Sequence, residues 1–373
     1  MSLKPVPHIE ALEEYAVTSQ DVWRIEDPHH ASRVLKLDWN ESPAVLDIVR
    51  QRLAEFLAHP GSINWYPDVA ALELSKAIAD HLGLSHLQVL PFGGSDVALE
   101  TVARTYLGPG DPVVLVHPGY DNFRLYAEAC GARIHRVVPG PDPLAFSMSA
   151  FIDAIRALGP ARLIYLIQPN NPVGYLASRA ELIALLQAFP ETAIIVDEAY
   201  IEFAEGEPTA APLITQFDHL FVARSFSKAF GLAGLRLGYV VSHHRNLAHL
   251  RKLRNGKNLT MFAQIAGTTL LQNIDLVRQH VARVKAGRRW FTDAYRARGG
   301  TILDSQGNFA LVRVADPQEV IFRLKMEGIY VRDRSSMRGL EGMLRLTFGP
   351  PEIMARVLAA FEAMPDGLWQ TAR

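Results

Sequence analysis

The chain has 373 residues, of which 49% are hydrophobic and 21% charged, so it is long and apolar enough for one or two globular domains. This composition excludes a disordered chain, and a formal net charge of −1 at pH 7 gives no attraction to nucleic acid or to an anionic membrane. A single cysteine, Cys130, excludes an internal disulfide and a thiolate metal site, which predicts a cytoplasmic location.

The N-terminal segment is weakly patterned. Residues 1–44 have too little hydrophobic periodicity for a core, and we expect an arm that packs on a smaller domain or on a second subunit. The first residues contain no apolar stretch of the kind found in secretory signals, and no window is long and apolar enough to span a bilayer. Neither export nor membrane insertion is therefore expected.

Short apolar segments alternate with amphipathic helical segments between about residues 85 and 240. Seven of the apolar segments predict strands, namely LQVLPF, DPVVLV, ARIHRVV, ARLIYLI, TAIIVD, HLFVARS and LRLGYVVS. Strands this apolar are buried on both faces, and the connections between them are long enough for crossover helices. The pattern predicts an α/β fold with a mainly parallel seven-stranded sheet covered by helices.

A different pattern begins beyond about residue 243, where long helical segments lead into several short strands. This arrangement is typical of an α+β domain. We therefore expect a large domain at residues 45–260 and a smaller α+β domain at residues 261–373. Part of the N-terminal arm is expected to complete the smaller domain.

Ligands of parallel α/β sheets bind beyond the carboxyl ends of the strands, where the connecting loops meet. Five such loops carry polar or glycine residues, namely Gly93–Asp96, His117–Tyr120, Pro169–Gly174, Asp197–Tyr200 and Ser225–Lys228. We expect these loops to converge on one crevice, which is the predicted functional site.

Lys228 and Asp197 are two charged candidates among the residues at these strand ends. An isolated lysine usually extends to solvent, and an isolated aspartate usually pairs with a cation, so each alone has an ordinary structural explanation. Lys228, however, lies beside Ser225 and Ser227, before three glycines and Arg236. A lysine in such a crevice has a lowered pKa and can act as a nucleophile, while an arginine fork suits a phosphate.

A Gly-rich turn, FGGSD at residues 92–96, lies between a predicted strand and a predicted helix. Its backbone N–H groups and the helix dipole would bind an anion, although Gly-Gly turns before helices are common. Asn171, in the turn QPNNPVG, is either an ordinary loop residue or an amide donor to a ligand oxygen. The sequence has no GxGxxG or GxxxxGK[ST] motif, which disfavours dinucleotide and nucleoside triphosphate binding.

The segment SFSKAFGLAGLRLG, residues 225–238, fits the pattern S-x-S-K-x-x-G-x-x-G-x-R-x-G. The motifs WYPD, GGSD, NNPVG, VDEAYIEF, GNF and LRLTFG accompany it. Together they resemble the class I/II aminotransferases of fold type I, which use pyridoxal phosphate, and above all the histidinol-phosphate aminotransferase branch. The resemblance covers about residues 35–362 and implies an aspartate-aminotransferase-like fold with residues 45–260 as the cofactor-binding domain.

The resemblance also implies a role for each residue of the cofactor site. Lys228 would carry pyridoxal phosphate covalently and later move a proton, and Asp197 would pair with the protonated ring nitrogen. Tyr200 and Asn171 would hydrogen-bond the ring oxygen, and Tyr120 would stack on the ring. The cofactor phosphate would be held by backbone groups at Gly94, Ser95 and Asp96, by the Ser225 hydroxyl and by Arg236.

On the substrate side, the resemblance implies that Arg345 binds a carboxylate or a phosphate. Asn40, Asn308 and Arg332 would line the same region. Tyr66 would reach the cofactor phosphate of a neighbouring subunit, which implies a homodimer.

Two departures from the branch fall near this region. Trp39 lies where the family often has a small residue, and Gly256 and Lys257 lie where the branch commonly has a proline-aromatic pair. The sequence assigns no role to Trp39, to Lys257 or to the N-terminal arm.

The implied reaction is amino transfer between an amino acid or amino-phosphate and a 2-oxo acid, both small molecules. A decarboxylase or lyase of a phosphorylated amino acid would use the same site, and a non-catalytic ligand-binding module is a third interpretation. No metal site is predicted, because the pairs His29–His30 and His243–His244 lack a further ligand at a suitable spacing. We expect these histidines at the surface.

Overall fold

The computed structural model describes residues 3–13, 21–25, 33–140, 142, 144–206 and 208–371. Its helices are Pro7–Glu10, Asp47–Leu57, Leu72–Leu82, Ser95–Tyr106, Asn122–Ala129, Met148–Leu158, Arg179–Ala188, His244–Leu253, Met261–Gln272, Ile274–Ala297, Pro317–Met326, Pro351–Glu362 and Asp366–Trp369. Its strands are β1 (Leu35–Lys36), β2 (Val89–Phe92), β3 (Pro112–Val116), β4 (Arg133–Val137), β5 (Leu163–Ile167), β6 (Ala193–Asp197), β7 (Leu220–Ser225), β8 (Gly238–Ser242), β9 (Thr301–Ile302), β10 (Phe309–Arg313), β11 (Ile329–Tyr330), β12 (Arg332–Asp333) and β13 (Met343–Thr347).

The larger sheet has seven strands in the order β2-β8-β7-β6-β5-β3-β4. The pairs from β7 to β4 along this order are parallel, whereas β8 is antiparallel to both β2 and β7. The predicted fold class, α/β with a mainly parallel seven-stranded sheet covered by helices, is confirmed.

Alternate residues of the central strands point into different hydrophobic clusters. In β6, Ile194 and Val196 belong to one cluster and Ile195 to another, and each is at most 1% exposed. Burial on both faces explains why these strands are continuous apolar runs in the sequence.

A second, four-stranded sheet has the order β12-β13-β10-β9 and is antiparallel throughout. Its strands come from the C-terminal third of the chain, together with the helices Ile274–Ala297 and Pro351–Glu362. The two helices contact each other through aromatic side chains, including Tyr295 against Phe361 with ring centroids 5.2 Å apart.

The N-terminal segment joins this C-terminal region. β1 pairs in parallel with β11, so that Leu35 lies opposite Ile329 and Lys36 opposite Tyr330. The proposed domain boundaries near residues 44 and 260 stay predictions. None of the helices in the described parts of the chain combines the length and the apolar character needed to cross a membrane.

Candidate active site

The five strand-end loops meet around one cavity of about 410 Å³. Each loop contributes at least one wall residue, and the segments before Ser42 and after Val331 close the other side. The cavity is lined by Trp39, Glu41, Ser95, Asp96, Tyr120, Ile167, Asn171, Asp197, Ala199, Tyr200, Ser225, Ser227, Lys228, Ala233, Arg236, Arg332, Arg334 and Arg345.

Lys228 follows β7 and extends into this cavity. Its Nζ donates a hydrogen bond to the main-chain oxygen of Trp39 at 2.6 Å. Burial, followed by the positive charge of Arg345, lowers the pKa of the Lys228 amine to about 8. A lysine of ordinary pKa is almost wholly protonated near neutral pH, whereas this one has a substantial neutral fraction and can act as a nucleophile.

Asp197 is the last residue of β6 and is 4% exposed. Tyr165 donates its hydroxyl hydrogen to Asp197 Oδ2 at 2.7 Å, and the Ala199 N–H donates to Oδ1 at 3.1 Å. Burial raises the pKa of the Asp197 carboxyl to about 6, and the two hydrogen bonds oppose that rise. The carboxylate is therefore ionised near neutral pH and can pair with a cationic group in the cavity.

The Tyr200 hydroxyl accepts two amide hydrogen bonds, from Asn40 Nδ2 at 3.2 Å and from Asn171 Nδ2 at 3.1 Å. A phenol oxygen that accepts twice keeps its own hydrogen available to a group in the cavity. The Tyr200 ring is held edge-on against Phe309, with centroids 4.9 Å apart. Burial raises the pKa of Tyr200, so it stays a phenol that can donate.

An anion cradle forms where β2 meets the helix Ser95–Tyr106. Gly94, with a φ of 104°, precedes the helix and provides no side-chain cap. A Cβ on Gly94 would lie 2.7 Å from Arg236 Nη2 and would displace that guanidinium, and the positive φ also favours glycine here. Arg236 Nη2 also lies 3.3 Å from Asp96 Oδ2. Helix N–H groups beside a guanidinium bind an anion such as a phosphate.

Three further arginines, Arg332, Arg334 and Arg345, line the cavity. Arg345 on β13 lies directly across from Arg332 on β12, and Arg334 follows two residues later. Arg345 is 3% exposed and donates from Nη1 to Asn171 Oδ1 at 2.6 Å and from Nη2 to the Asp38 carbonyl. This concentration of guanidinium groups can bind a second anion.

Not every predicted residue lines the cavity. Asn308 is 1% exposed and lies behind the wall, where its Nδ2 donates to the Asn40 main-chain oxygen at 3.1 Å. Asn40 contacts the site through Tyr200. Tyr66 is 77% exposed, does not line the cavity of its own chain, and lies under Lys257, whose Nζ is 4.8 Å from the ring centroid.

Sequence reasoning missed Glu41, Arg334 and Tyr165. Arg334 was detectable, because it lies two positions after the candidate Arg332 in an extended segment, and residues two apart there share a face. Glu41 directly follows Asn40. Tyr165 carries no local signal, because it lies inside an apolar strand and its partner Asp197 belongs to the next one.

Within the described residues, no group of three or more histidine, cysteine, aspartate or glutamate side chains could hold a metal ion. His244 is exposed and His243 is half-buried beside it. The pair His29–His30 lies outside the described residues.

Residues 32–361 match the aminotransferase class I and II family. The chain belongs to this family. The predicted resemblance, including the likeness to histidinol-phosphate aminotransferases, is confirmed, and the chain is a transaminase. The interpretation as a non-catalytic binding module is thereby excluded.

Relatives of this aminotransferase carry two kinds of name. A dihydroxyacetone phosphate transaminase of Campylobacter jejuni is 33% identical over 344 residues, covering 88% of this chain and 89% of the relative. A histidinol-phosphate aminotransferase of Limosilactobacillus fermentum is 32% identical over 342 residues, covering 90% and 92%. The solved histidinol-phosphate aminotransferase of Sinorhizobium meliloti, in complex with pyridoxal phosphate, superposes with a TM-score of 0.84 at 25% identity, covering 96% of this chain and 97% of that one.

The cofactor of this aminotransferase is pyridoxal phosphate. The cavity fits that group on three counts: an anion cradle at Gly94 and Arg236, a buried carboxylate at Asp197, and a lysine of lowered pKa at Lys228. These three features would meet, in the same order, the phosphate of the cofactor, its cationic ring nitrogen and its aldehyde.

Proposed function

We propose that this aminotransferase takes a phosphorylated amino compound of the histidinol-phosphate kind as amino donor and a 2-oxo acid as acceptor. The arginine wall of Arg332, Arg334 and Arg345 carries the proposal, since it adds three guanidinium groups to the cavity besides the Arg236 of the cofactor cradle. Several guanidinium groups bind a dianionic phosphate more strongly than they bind a single carboxylate. The names of the two relatives, one on histidinol phosphate and one on dihydroxyacetone phosphate, support the same substrate class.

The proposed cofactor residues divide into two groups. Lys228 binds the cofactor covalently, Asp197 faces its ring nitrogen, Tyr200 and Asn171 donate to its ring oxygen, and Tyr120 packs on its ring. The phosphate is held by the backbone N–H groups at Gly94, Ser95 and Asp96, by the Ser225 hydroxyl and by Arg236. Tyr120 also lies 3.5 Å from the Asp96 carboxylate through its hydroxyl, which supports the placement of both residues at one edge of the cofactor.

The bound cofactor supplies an electron sink for a carbanion at the α-carbon of the substrate. Lys228 acts as the base that removes the α-proton and later returns a proton. Its pKa of about 8 is close to working pH, where a group both accepts and releases a proton efficiently. The Trp39 carbonyl orients the amine before the reaction begins.

Arg345 binds the anionic group of the substrate, and Arg332 lines its pocket. Asn40 and Asn308 stabilise this wall, because Asn40 also exchanges hydrogen bonds with Thr347 on β13. Glu41, held by an ion pair with Lys36, limits the net positive charge at the cavity mouth.

A homodimeric assembly belongs to the same proposal. Ile63, Trp65 and Tyr66 are 77%, 65% and 77% exposed, which is a large apolar surface for three residues within four positions of one loop. A second copy of the chain would cover it, and Tyr66 would then reach the partner's cofactor phosphate. A cytoplasmic location stays a prediction from the single cysteine.

The deciding experiment is a screen of amino donors with the cofactor-loaded protein. Histidinol phosphate is compared with unphosphorylated histidinol, and amino transfer is followed by the change in cofactor absorbance. We expect kcat/KM for the phosphorylated donor to be about 10- to 100-fold higher, because two or more charge-assisted hydrogen bonds are lost without the phosphate.

Lys228→Ala is the control, and it is expected to lose both turnover and borohydride-fixed cofactor. Equal turnover of the two donors would contradict the proposed substrate class. With L-threonine-O-3-phosphate, a phosphorylated donor that carries an α-carboxylate, release of carbon dioxide in place of an oxo product would identify a decarboxylase.

A further inference from the structure

Tyr165 occupies the middle of β5 and is 1% exposed. Its ring is stacked against Phe123, with centroids 4.5 Å apart and an interplanar angle of 15°. The hydroxyl donates to Asp197 Oδ2 at 2.7 Å. A fully buried tyrosine thus has its ring fixed by packing and its one polar atom fixed by the carboxylate of the cofactor site.

The sheet register explains how these two residues meet. β5 and β6 are parallel, with Tyr165 opposite Ile195 and Ile167 opposite Asp197. Side chains of a strand lean along the strand, so a long side chain at Tyr165 can reach a partner two positions further on. The contact therefore depends on backbone that is itself held by the sheet.

Tyr165 alters the acidity of Asp197. Burial pushes the pKa of the Asp197 carboxyl upward, and among the effects that lower it the hydrogen bond from Tyr165 is the largest, ahead of the Ala199 N–H. Burial and the Asp197 charge raise the pKa of Tyr165 well above its usual value. The tyrosine therefore remains a donor throughout the working pH range, and its effect on Asp197 does not change with pH.

Other titratable groups also face Asp197. Asp96 raises the pKa of its carboxyl, and Lys228 lowers it. Tyr200, on the loop after β6, feels the Asp197 charge and stays protonated. Asp96 and Lys228 lie on the elements that would hold the cofactor, so a substitution there would disturb the site directly, whereas Tyr165 is not among the cavity residues.

We propose that Tyr165 is a positioning residue that keeps Asp197 ionised, so that the proton shared with the cofactor stays on the ring nitrogen. The inference rests on the proposed role of Asp197. Without the Tyr165 donor, the carboxylate becomes more basic and takes the proton, and the ring loses its positive charge. A ring without that charge is a weaker electron sink.

The test is Tyr165→Phe, which removes only the hydroxyl and keeps the ring packed on Phe123. Tyr295→Phe is the matched control, because its hydroxyl is also buried and has no hydrogen-bond partner within the described residues. The absorbance of the Lys228-linked cofactor is titrated with pH in the loaded proteins. We expect its apparent pKa to rise by about one unit in Tyr165→Phe, since an uncharged ring favours the protonated lysine nitrogen, and to stay unchanged in Tyr295→Phe.

A second readout uses the cofactor-free protein. The folded Asp197 has a raised pKa of about 6, so its contribution to the free energy of unfolding is present at low pH and is lost as pH rises to that value. In Tyr165→Phe the loss should continue to higher pH, by the same shift of about one unit. Urea unfolding between pH 4 and 8 measures this directly.

Site-specific 3-fluorotyrosine at position 165 provides an independent variant, because it is a stronger donor and should move both titrations to lower pH. Unchanged titrations in Tyr165→Phe and in the fluorinated protein, with cofactor still bound, would overturn the inference about Tyr165 but not the proposed function. If the unsubstituted protein takes up no pyridoxal phosphate, the proposed roles are wrong and this inference is overturned with them.

Discussion

The acidity of Lys228 follows from two features, its burial and the nearby Arg345. Covalent capture of pyridoxal phosphate requires the neutral amine, so the capture rate of the cofactor-free protein should be half-maximal near pH 8. Arg345→Met removes a positive charge at similar volume, which favours the protonated amine and should move the profile to higher pH. Stopped-flow absorbance measures the rate at each pH.

Arg313→Ala removes an arginine that lies outside the cavity wall and should leave the profile in place. An unchanged profile in Arg345→Met would show that burial alone sets the acidity of Lys228.

Lys228, Asp197 and Tyr200 could be proposed from the sequence, because a rule about strand ends places them together before any contact is known. No comparable rule places Tyr165 or Asn308 at the site. Asn308 was found by resemblance, yet its place behind the wall depends on a bond to Asn40, which is 268 positions away in the chain. Contacts between such distant residues are set by tertiary packing, which a local pattern does not encode.

Gly238, the first residue of β8, packs against the N-terminus of the helix Ser95–Tyr106. A Cβ on Gly238 would overlap the Ser95 backbone nitrogen and lie 2.7 Å from the Gly94 carbonyl carbon. Gly238→Ala should therefore displace the N-terminus of the helix, destabilise the fold by about 1–3 kcal/mol and weaken cofactor affinity. Chemical unfolding and a cofactor titration measure the two effects separately.

Gly234→Ala is the control for this element, because it belongs to the same glycine-rich segment and has nothing within 4 Å of the added methyl group. It should change neither quantity by much. Equal effects of the two substitutions would show that the segment is merely intolerant of alanine.

With the exception of the partly exposed edge strand β4, the strands of the large sheet are buried on both faces and therefore largely apolar, which made them predictable. The pairing of β1 with β11 was not predictable, since it joins position 35 to position 329 and β1 is too short to show a period. That pairing nevertheless positions Trp39 and Glu41 at the cavity, so an element too short to predict builds one wall of the site.

At the scale of the whole molecule, the cavity draws its walls from the N-terminal segment, the large sheet and the C-terminal sheet of one chain. Tyr66 is the exception, because it points to solvent away from its own cavity. If it completes the cradle of a second copy, two defective subunits should restore one intact site. A Lys228→Ala chain retains Tyr66, and a Tyr66→Ala chain retains Lys228.

In a hybrid of these two chains, purified through different tags, the site with Lys228 would receive Tyr66 from its partner. We expect Tyr66→Ala homodimers to bind the cofactor about 10-fold more weakly, and the hybrid to regain one high-affinity site per dimer, counted by borohydride fixation. Phe322→Ala, which removes another exposed aromatic side chain, should behave like the unsubstituted protein. A hybrid without a restored site would place Tyr66 in its own subunit, and a protein that sediments as a monomer would exclude the dimer, because complementation requires both chains in one particle.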